Sequence, residues 1–326
     1  MSLFNLTSKT SRTACLVSLA LSQAIFASAL TLSPARLEIA ADPGETVTKS
    51  FVLVNEQDAD LVYYTSAENF EAQGESGTPN FTPSKEGLAS WVSVVDKVVL
   101  KRGQKIEVPF SVKVPKDADA GGHFAAIFLS TVPPAAGGND VAVGAKVGML
   151  VLLRVNGELK EGGGVLSFGL KGDSKFVTKL PVQFMYRFNN SGNDRVNPVG
   201  DIEIRNTVGV KIDTINANPT VGNILPASTR RFEVRWGEEQ ALSESAPFFD
   251  HVGYEARNFA FGVYSATMNL TFGTTGQSSS KVYFFVFPWH LMLVVILSLV
   301  ILLFILRGLI KRYNRWIIKQ AQLQMK

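Results

Sequence analysis

Ile106, Val108, Phe110, Val112 and Val114 alternate with Lys105, Glu107, Pro109, Ser111 and Lys113. This period of two suits a half-buried β-strand, whose successive side chains leave on opposite faces. The same alternation recurs at Val182, Phe184, Tyr186 and Phe188, at Phe232, Val234 and Trp236, and from Tyr264 through Ala266, Met268 and Leu270 to Phe272. Pro109 stands on the outward face of its strand and predicts an edge position, where no ladder donor is needed. Phe51–Val54, Phe124–Leu129 and Val147–Leu153 are more continuously apolar, as strands with little water on either face must be. Turn sequences such as Asp42-Pro43-Gly44-Glu45, Asn190-Ser191-Gly192-Asn193 and Gly273-Thr274-Thr275-Gly276 separate the runs.

No sustained helical stripe interrupts this pattern between residues 30 and 287. Many short strands at close spacing therefore predict antiparallel sandwiches. The Gly-rich stretch Asn156–Gly164 divides two blocks of about seven strands each. The expectation is an all-β fold of two tandem Ig-like β-sandwich domains, residues 30–160 and 161–287. The Ala/Gly/Pro stretch Pro133–Asn139 then reads as a long hairpin loop, because a cut there would remove the apolar strand at Val147–Leu153 from domain 1. Trp91 and Trp236 are the expected core anchors.

Both ends of the chain read differently. Lys9 and Arg12 precede an apolar run from Ala14 to Phe26 and then Ala27-Ser28-Ala29, the pattern of a secretory signal ending at residue 29. Cys15, the only cysteine, lies outside a cleavage site, so no lipid attachment is expected there. Cleavage after Ala29 leaves no disulfide and no thiolate metal site. From Pro288 to Leu306 no Asp, Glu, Lys or Arg appears. A helix of that length crosses an apolar layer of about 30 Å, so residues 288–306 form a single C-terminal transmembrane helix. Phe284, Phe285, Phe287 and Trp289 read as its interfacial belt. The tail, residues 307–326, holds six cations and no acid, which predicts a cytoplasmic tail and N-terminal domains outside. Its Leu309, Ile310, Tyr313, Trp316 and Ile317 share one arc opposite Lys311, Arg312, Arg315 and Lys319, as in a basic amphipathic helix on an anionic leaflet.

Removing the tail's six positive charges and the leader's two leaves residues 30–287 at −4, although the whole chain is +4. The exported part therefore lacks the basic surface that nucleic-acid binding needs. Catalytic patterns are also missing. Gly44-Glu45-Thr46-Val47-Thr48-Lys49-Ser50 has Thr where a phosphate loop needs its second Gly, and Gly164–Gly169 has the wrong spacing for a nucleophile elbow. His123 and His251 are isolated and read as structural, and His290 belongs to the membrane entry. Asn193, Asp194 and Asp201 fit a polar hairpin better than a calcium loop. Arg231, Glu233 and Arg235 form a solvated sheet face behind Phe232, Val234 and Trp236. The chain is expected to be no enzyme and to use no catalytic residue, cofactor or metal, with its ligand-binding residues unknown. Carboxylate pairing in space leaves a cell-wall glycan enzyme as the last alternative.

Leu32-Ser33-Pro34, Asp42-Pro43-Gly44-Glu45-Thr46, a strand at Trp91, Leu100-Lys101-Arg102-Gly103-Gln104, and Val114-Pro115-Lys116-Asp117-Ala118 leading to Gly121-Gly122-His123-Phe124 resemble the first domain of the WxL-interacting cell-surface proteins of bacteria. The second half is similar in outline, with Leu225-Pro226 before Arg231–Trp236 and Phe261-Gly262-Val263-Tyr264 opening a hairpin into the membrane. The resemblance implies two Ig-like domains outside a single-pass cell membrane anchor, the first associating with peptidoglycan and the second with other cell-surface proteins. It implies an adaptor or adhesion role, with no nucleic-acid partner. A second resemblance, to periplasmic pilus chaperones through the Ser-Pro opening and two-domain layout, implies the alternative of a surface-assembly factor that pairs with client strands. Those chaperones are soluble, unlike a chain with a membrane helix.

Overall fold

Burial follows the alternation. Along β13 (Val182–Asn190), Val182, Phe184, Tyr186, Phe188 and Asn190 are buried while the intervening residues are half-buried. Val108, Phe110 and Val112 of β8 (Lys105–Lys113) and Phe232, Val234 and Trp236 of β16 (Ser228–Trp236) are likewise buried, with more exposed residues between them. The computed structural model describes residues 30–83, 86–133, 146–172, 174–237 and 242–324. The expected signal, residues 1–29, most of the Pro133–Asn139 loop and the last two residues of the tail lie outside the described residues.

The first sandwich comprises β1 (Leu30–Ser33), β2 (Arg36–Ala41), β3 (Thr46–Asn55), β4 (Leu61–Gln73), β5 (Thr78–Thr82), α1 (Leu88–Trp91), β6 (Val92–Val94), β7 (Lys97–Leu100), β8, β9 (Gly121–Ser130) and β10 (Lys146–Val155). One sheet runs β1-β3-β8-β6 and the other β2-β10-β9-β4-β5, with β7 also on β4. The first strands divide between the sheets: β1 pairs antiparallel with β3, while β2 pairs parallel with β10, Arg36 opposite Leu150. Between the sheets lie Phe51, Leu53, Tyr63, Phe110, Ile127, Leu129, Met149 and Leu153. Each such side chain contributes roughly 1.5–3 kcal/mol of burial.

The second sandwich comprises β11 (Gly163–Leu170), β12 (Phe176–Val177), β13, β14 (Val199–Arg205), β15 (Lys211–Asn216), β16, α2 (Phe248–Arg257), β17 (Gly262–Phe272) and β18 (Gly276–Val286). Sheet β11-β13-β16 faces sheet β12-β18-β17-β14-β15. Phe184, Tyr186, Phe188, Trp236, Met268 and Phe284 fill the space between them. The fold is thus two tandem Ig-like β-sandwiches followed by α3 (Trp289–Gln324), one apolar helix long enough to cross a membrane and with none of its most apolar stretch buried.

Five expectations change. Strand β8 is flanked by β3 and β6, so it is not a sheet edge. Because β6 reaches only Phe110–Val112, Pro109 lies just past the stretch where a ladder donor is needed on that side. Trp91 closes the short helix α1 instead of lying in a strand, and it packs at the rim of the core with its ring 4.7 Å from His123. Phe284 is only 2% exposed because it points into the second core against Trp236 and Tyr264, so it does not join an interfacial belt. Helix α2 interrupts the strands where no stripe was read; it is short, and Glu255 is among its buried residues. The tail continues α3 without a break through Gly308 instead of forming a separate helix.

Candidate functional site: an interdomain cleft

The two sandwiches meet through polar side chains at one end of the second. The turn after β13 is held by Asn190, whose Nδ2 donates to the Asp194 and Ile224 carbonyls at 2.7 and 3.0 Å. This fixes Asn193, whose carbonyl accepts from the Gly122 N–H at 2.8 Å and whose amide donates to the Ala120 carbonyl at 3.0 Å. Asp194, 8% exposed, pairs with Arg154 of β10 and accepts from its neighbour's N–H at 2.7 Å. Arg195 reaches Glu38 of β2 at 2.9 Å. The hairpin read as a polar turn is therefore also the joint between domains, while Asp201 stands apart on β14, opposite Asn216.

A third ion pair closes the other side of the joint. Arg187 of β13 donates from Nε to both oxygens of Glu75 at 3.0 and 2.8 Å and adds a third bond from Nη2. The Glu75 carbonyl accepts from the Arg231 N–H at 2.7 Å. Hydrogen bonding from Arg187 holds the Glu75 carboxyl below its ordinary range, and the same bond raises Arg187.

Between these contacts lies a cleft of about 190 Å³. Phe70, Leu150 and Leu152 line it from domain 1, and Val221, Thr229 and Arg230 from domain 2, with Arg36 at its mouth. Arg230 is threaded between Gly77 and Gly222: a Cβ at either would come within 2.4 or 2.8 Å of its Cζ. It donates from Nη1 to the Asn223 carbonyl at 2.8 Å and lies over the Phe232 ring. Its Nε is buried and has no partner among the described residues. Burial, aided by the Arg36 charge, holds the Arg230 guanidinium below its ordinary range. Two cations thus share a partly desolvated space in which a buried donor is unpaired, a situation that favours an anion. Glu38 offsets one of them, 3.5 Å from Arg36, and Glu71 stands at the rim. Val221 adopts φ 50°, a rare value for a β-branched residue, and its carbonyl faces Arg36 Nη1 at 3.4 Å.

Beside the cleft, aromatic rings pack together on the outer face of β9, β4 and β5, with Phe70 and Phe128 only 6% and 8% exposed. Phe70 packs on Phe81 and Phe124 at 5.9 and 5.8 Å, and Phe81 on Phe128 at 4.9 Å. Strand β2 pairs with β10 only from Leu150 onward. Among the described residues no strand pairs with Lys146–Met149 on that side, up to the point where Arg36 stands.

The histidines lie away from the cleft, and His251, expected to be isolated, is not, because the chain brings His290 beside it. His123 Nε2 lies 2.9 Å from the Asp119 carbonyl. His251 stacks on His290 at 4.4 Å with nearly parallel planes, and its Nδ1 has no partner among the described residues. The face with Arg231, Glu233 and Arg235 is exposed, Glu233 being bound to Lys171 at 2.8 Å. Neither the cleft residues Arg36 and Arg230 nor the flanking pair Glu75 and Arg187 is singled out by sequence pattern. The signal available was Arg36 two residues after Pro34, at the start of a strand.

No family model and no curated protein matches the chain. Solved structures similar in fold include the class 5 fimbriae chaperone CfaA, at 11% identity and a TM-score of 0.37, covering 78% of this chain and 98% of that one. The E. coli chaperone DraB matches at 11% identity and a TM-score of 0.36, with 78% and 96% covered. A chain of the Salmonella enterica SafA pilin complex with the SafB chaperone matches at 10% and 0.33, with 79% and 96% covered. Likenesses this low bring no site or partner with them, and the meaning of the cleft rests on its own residues.

Proposed function

We propose that the chain is a membrane-anchored binding and assembly module of the cell envelope, with residues 30–160 and 161–287 outside the membrane and the basic tail in the cytoplasm. In this reading an extended segment of a partner protein adds to the open edge of β10 at Lys146–Met149. Its side chains lie beside Gly148 and Leu150 of β10, and a carboxylate enters between Arg36 and Arg230. Backbone pairing at a free edge supplies affinity with little sequence demand, and the side-chain pockets and the charge supply register. The observation that carries the reading is the unpaired Arg230 Nε beside a second arginine over an apolar floor.

The test uses full-length protein in nanodiscs and fluorescent peptides of alternating apolar pattern, each made with a free C-terminal carboxylate and as the carboxamide. Acid-ended peptides are expected to bind more tightly. R36A and R230A should each weaken them by roughly tenfold or more, the size of a lost charge-assisted bond of about 1.5–3 kcal/mol. Equal affinity for both peptide forms would exclude the anion site. Peptidoglycan association of domain 1, which the family resemblance implies, is the rival. Saturable co-sedimentation of full-length protein with isolated peptidoglycan, unchanged by R36A and R230A, would favour it.

A further inference from the structure

Exposed large apolar side chains are distributed unevenly. Among the described residues, domain 1 shows only Val95 and Val99 in this class, whereas most of those outside α3 belong to domain 2. Within domain 2 they gather at the end opposite the joint with domain 1. Strand pairing fixes that end: Gly262 opposes Val286, Arg205 opposes Ser265, and Phe176 opposes Phe285. The hairpin tip after β14, the start of β17, strand β12 and the end of β18 therefore lie together, two residues before α3 begins. Here Phe249 is 76% exposed, Val208 80%, Phe259 58%, Phe176 53%, Phe261 47% and Val263 42%. Thr207 ties the hairpin tip to this end by donating to the Val263 carbonyl at 2.8 Å.

The same end is joined to α3 by ring packing and hydrogen bonds. Phe176, Phe261, Phe285 and Phe287 form a ring cluster, with centroids 5.6 to 6.4 Å apart, leading to Trp289. The Phe287 N–H donates to the Val177 carbonyl at 2.8 Å. Glu255 of α2 accepts from the Leu291 N–H at 2.8 Å and holds His290 at 2.6 Å, so α2 is clamped to the first turn of α3. The apolar side chains of three separate segments thus lie around the foot of one apolar helix.

We propose that this end of domain 2 is a membrane-seating surface, with Val208, Phe249, Phe259 and Phe261 entering the interfacial layer of the same bilayer that α3 spans. The proposal rests on the reading of α3 as a membrane span and deepens it. Continuity with that span selects lipid as the occupant: a surface so close to the helix's entry point is already at headgroup depth. Aromatic rings there are favoured at the interface. Exposed Lys175 and Arg257 beside them can meet lipid phosphates.

The test places single spin labels in full-length protein with Cys15 replaced (C15S), reconstituted in phosphatidylethanolamine/phosphatidylglycerol vesicles. Sites are V208C, F249C and F259C at the proposed surface, L299C in the span and V99C in domain 1. The expected result is that labels at 208, 249 and 259 collide with oxygen more than with a water-soluble nickel complex, as at 299, while 99 shows the reverse. Nickel accessibility at 208, 249 and 259 equal to that at 99, with 299 still in lipid, would overturn the seating surface and leave the span intact. Nickel access at 299 as well would overturn the span and the seating surface with it. Because Val208 and Phe249 are highly exposed, their replacement leaves the fold in place, and agreement between the two sites guards against a local artefact.

Discussion

Glu75 makes the interdomain joint sensitive to acid. Its carboxyl is held below the ordinary range by the bond from Arg187, and a group whose value is lowered on folding contributes stability that is present above its unfolded value and lost as pH falls through the folded one. The unfolded value is the ordinary one of about 4.5. The contribution is therefore complete at neutral pH, begins to fall near that value and is gone below the lowered one. Thermal unfolding of full-length protein followed against pH should show this decline, and E75Q should flatten part of it while lowering stability at pH 7. An unaltered pH profile in E75Q would mean that the ion pair contributes nothing there. Gly121 is a second sensitive position. It sits at φ 124°, and a Cβ there would come 2.3 Å from the Asn193 carbonyl oxygen, a backbone atom that cannot rotate aside. G121A should therefore cost at least about 1 kcal/mol and break the Gly122–Asn193 bond. Loss of protection of the Gly122 amide in hydrogen exchange would report it.

Among the elements, α2 is the one whose existence the sequence hid and whose role is most specific. Strands β8, β13, β16 and β17 could be read directly because one face of each meets a core and the other meets water, leaving a period of two. Helix α2 buries His251, Tyr254 and Glu255 in ten residues. Two of its three inward positions are thus polar, and no apolar stripe forms. Those polar residues face the start of α3, where a buried carboxylate satisfies a backbone donor of the first turn and agrees with the helix dipole. E255A would leave the Leu291 N–H and the His290 ring without this partner, at a cost of roughly 1–3 kcal/mol. Hydrogen exchange should show α2 and the first turn of α3 opening more readily while β13 and β17 keep their protection. Equal loss everywhere would mean that Glu255 supports the whole domain and not this junction.

At the scale of the molecule, the two-sandwich plan was visible in the sequence because each core is local and repetitive, while the cleft was not. It is lined by residues 36, 70, 150, 221 and 230, far apart in the chain, and its two arginines are of a type that ordinarily sits on a solvated surface. Arg230 loses water only because the meeting of the domains threads it between Gly77 and Gly222. The cleft's geometry thus depends on the joint: Arg187–Glu75 on one side and the Asn190–Arg195 turn on the other hold the Arg230 wall against the Phe70 and Leu150 wall. Two clamps on opposite sides of an interface resist hinging in a way that one does not. Spin labels at V99C in domain 1 and L166C in domain 2, both exposed, should give one narrow distance distribution by double electron–electron resonance in full-length protein. Adding G121A should broaden it, and adding E75Q together with G121A should broaden it further and weaken acid-ended peptides as strongly as R230A does. A broad distribution in the unaltered protein would show that the domains move freely and that the cleft is not preformed. A narrow one that survives both substitutions would place the rigidity in the linker between Val155 and Gly163.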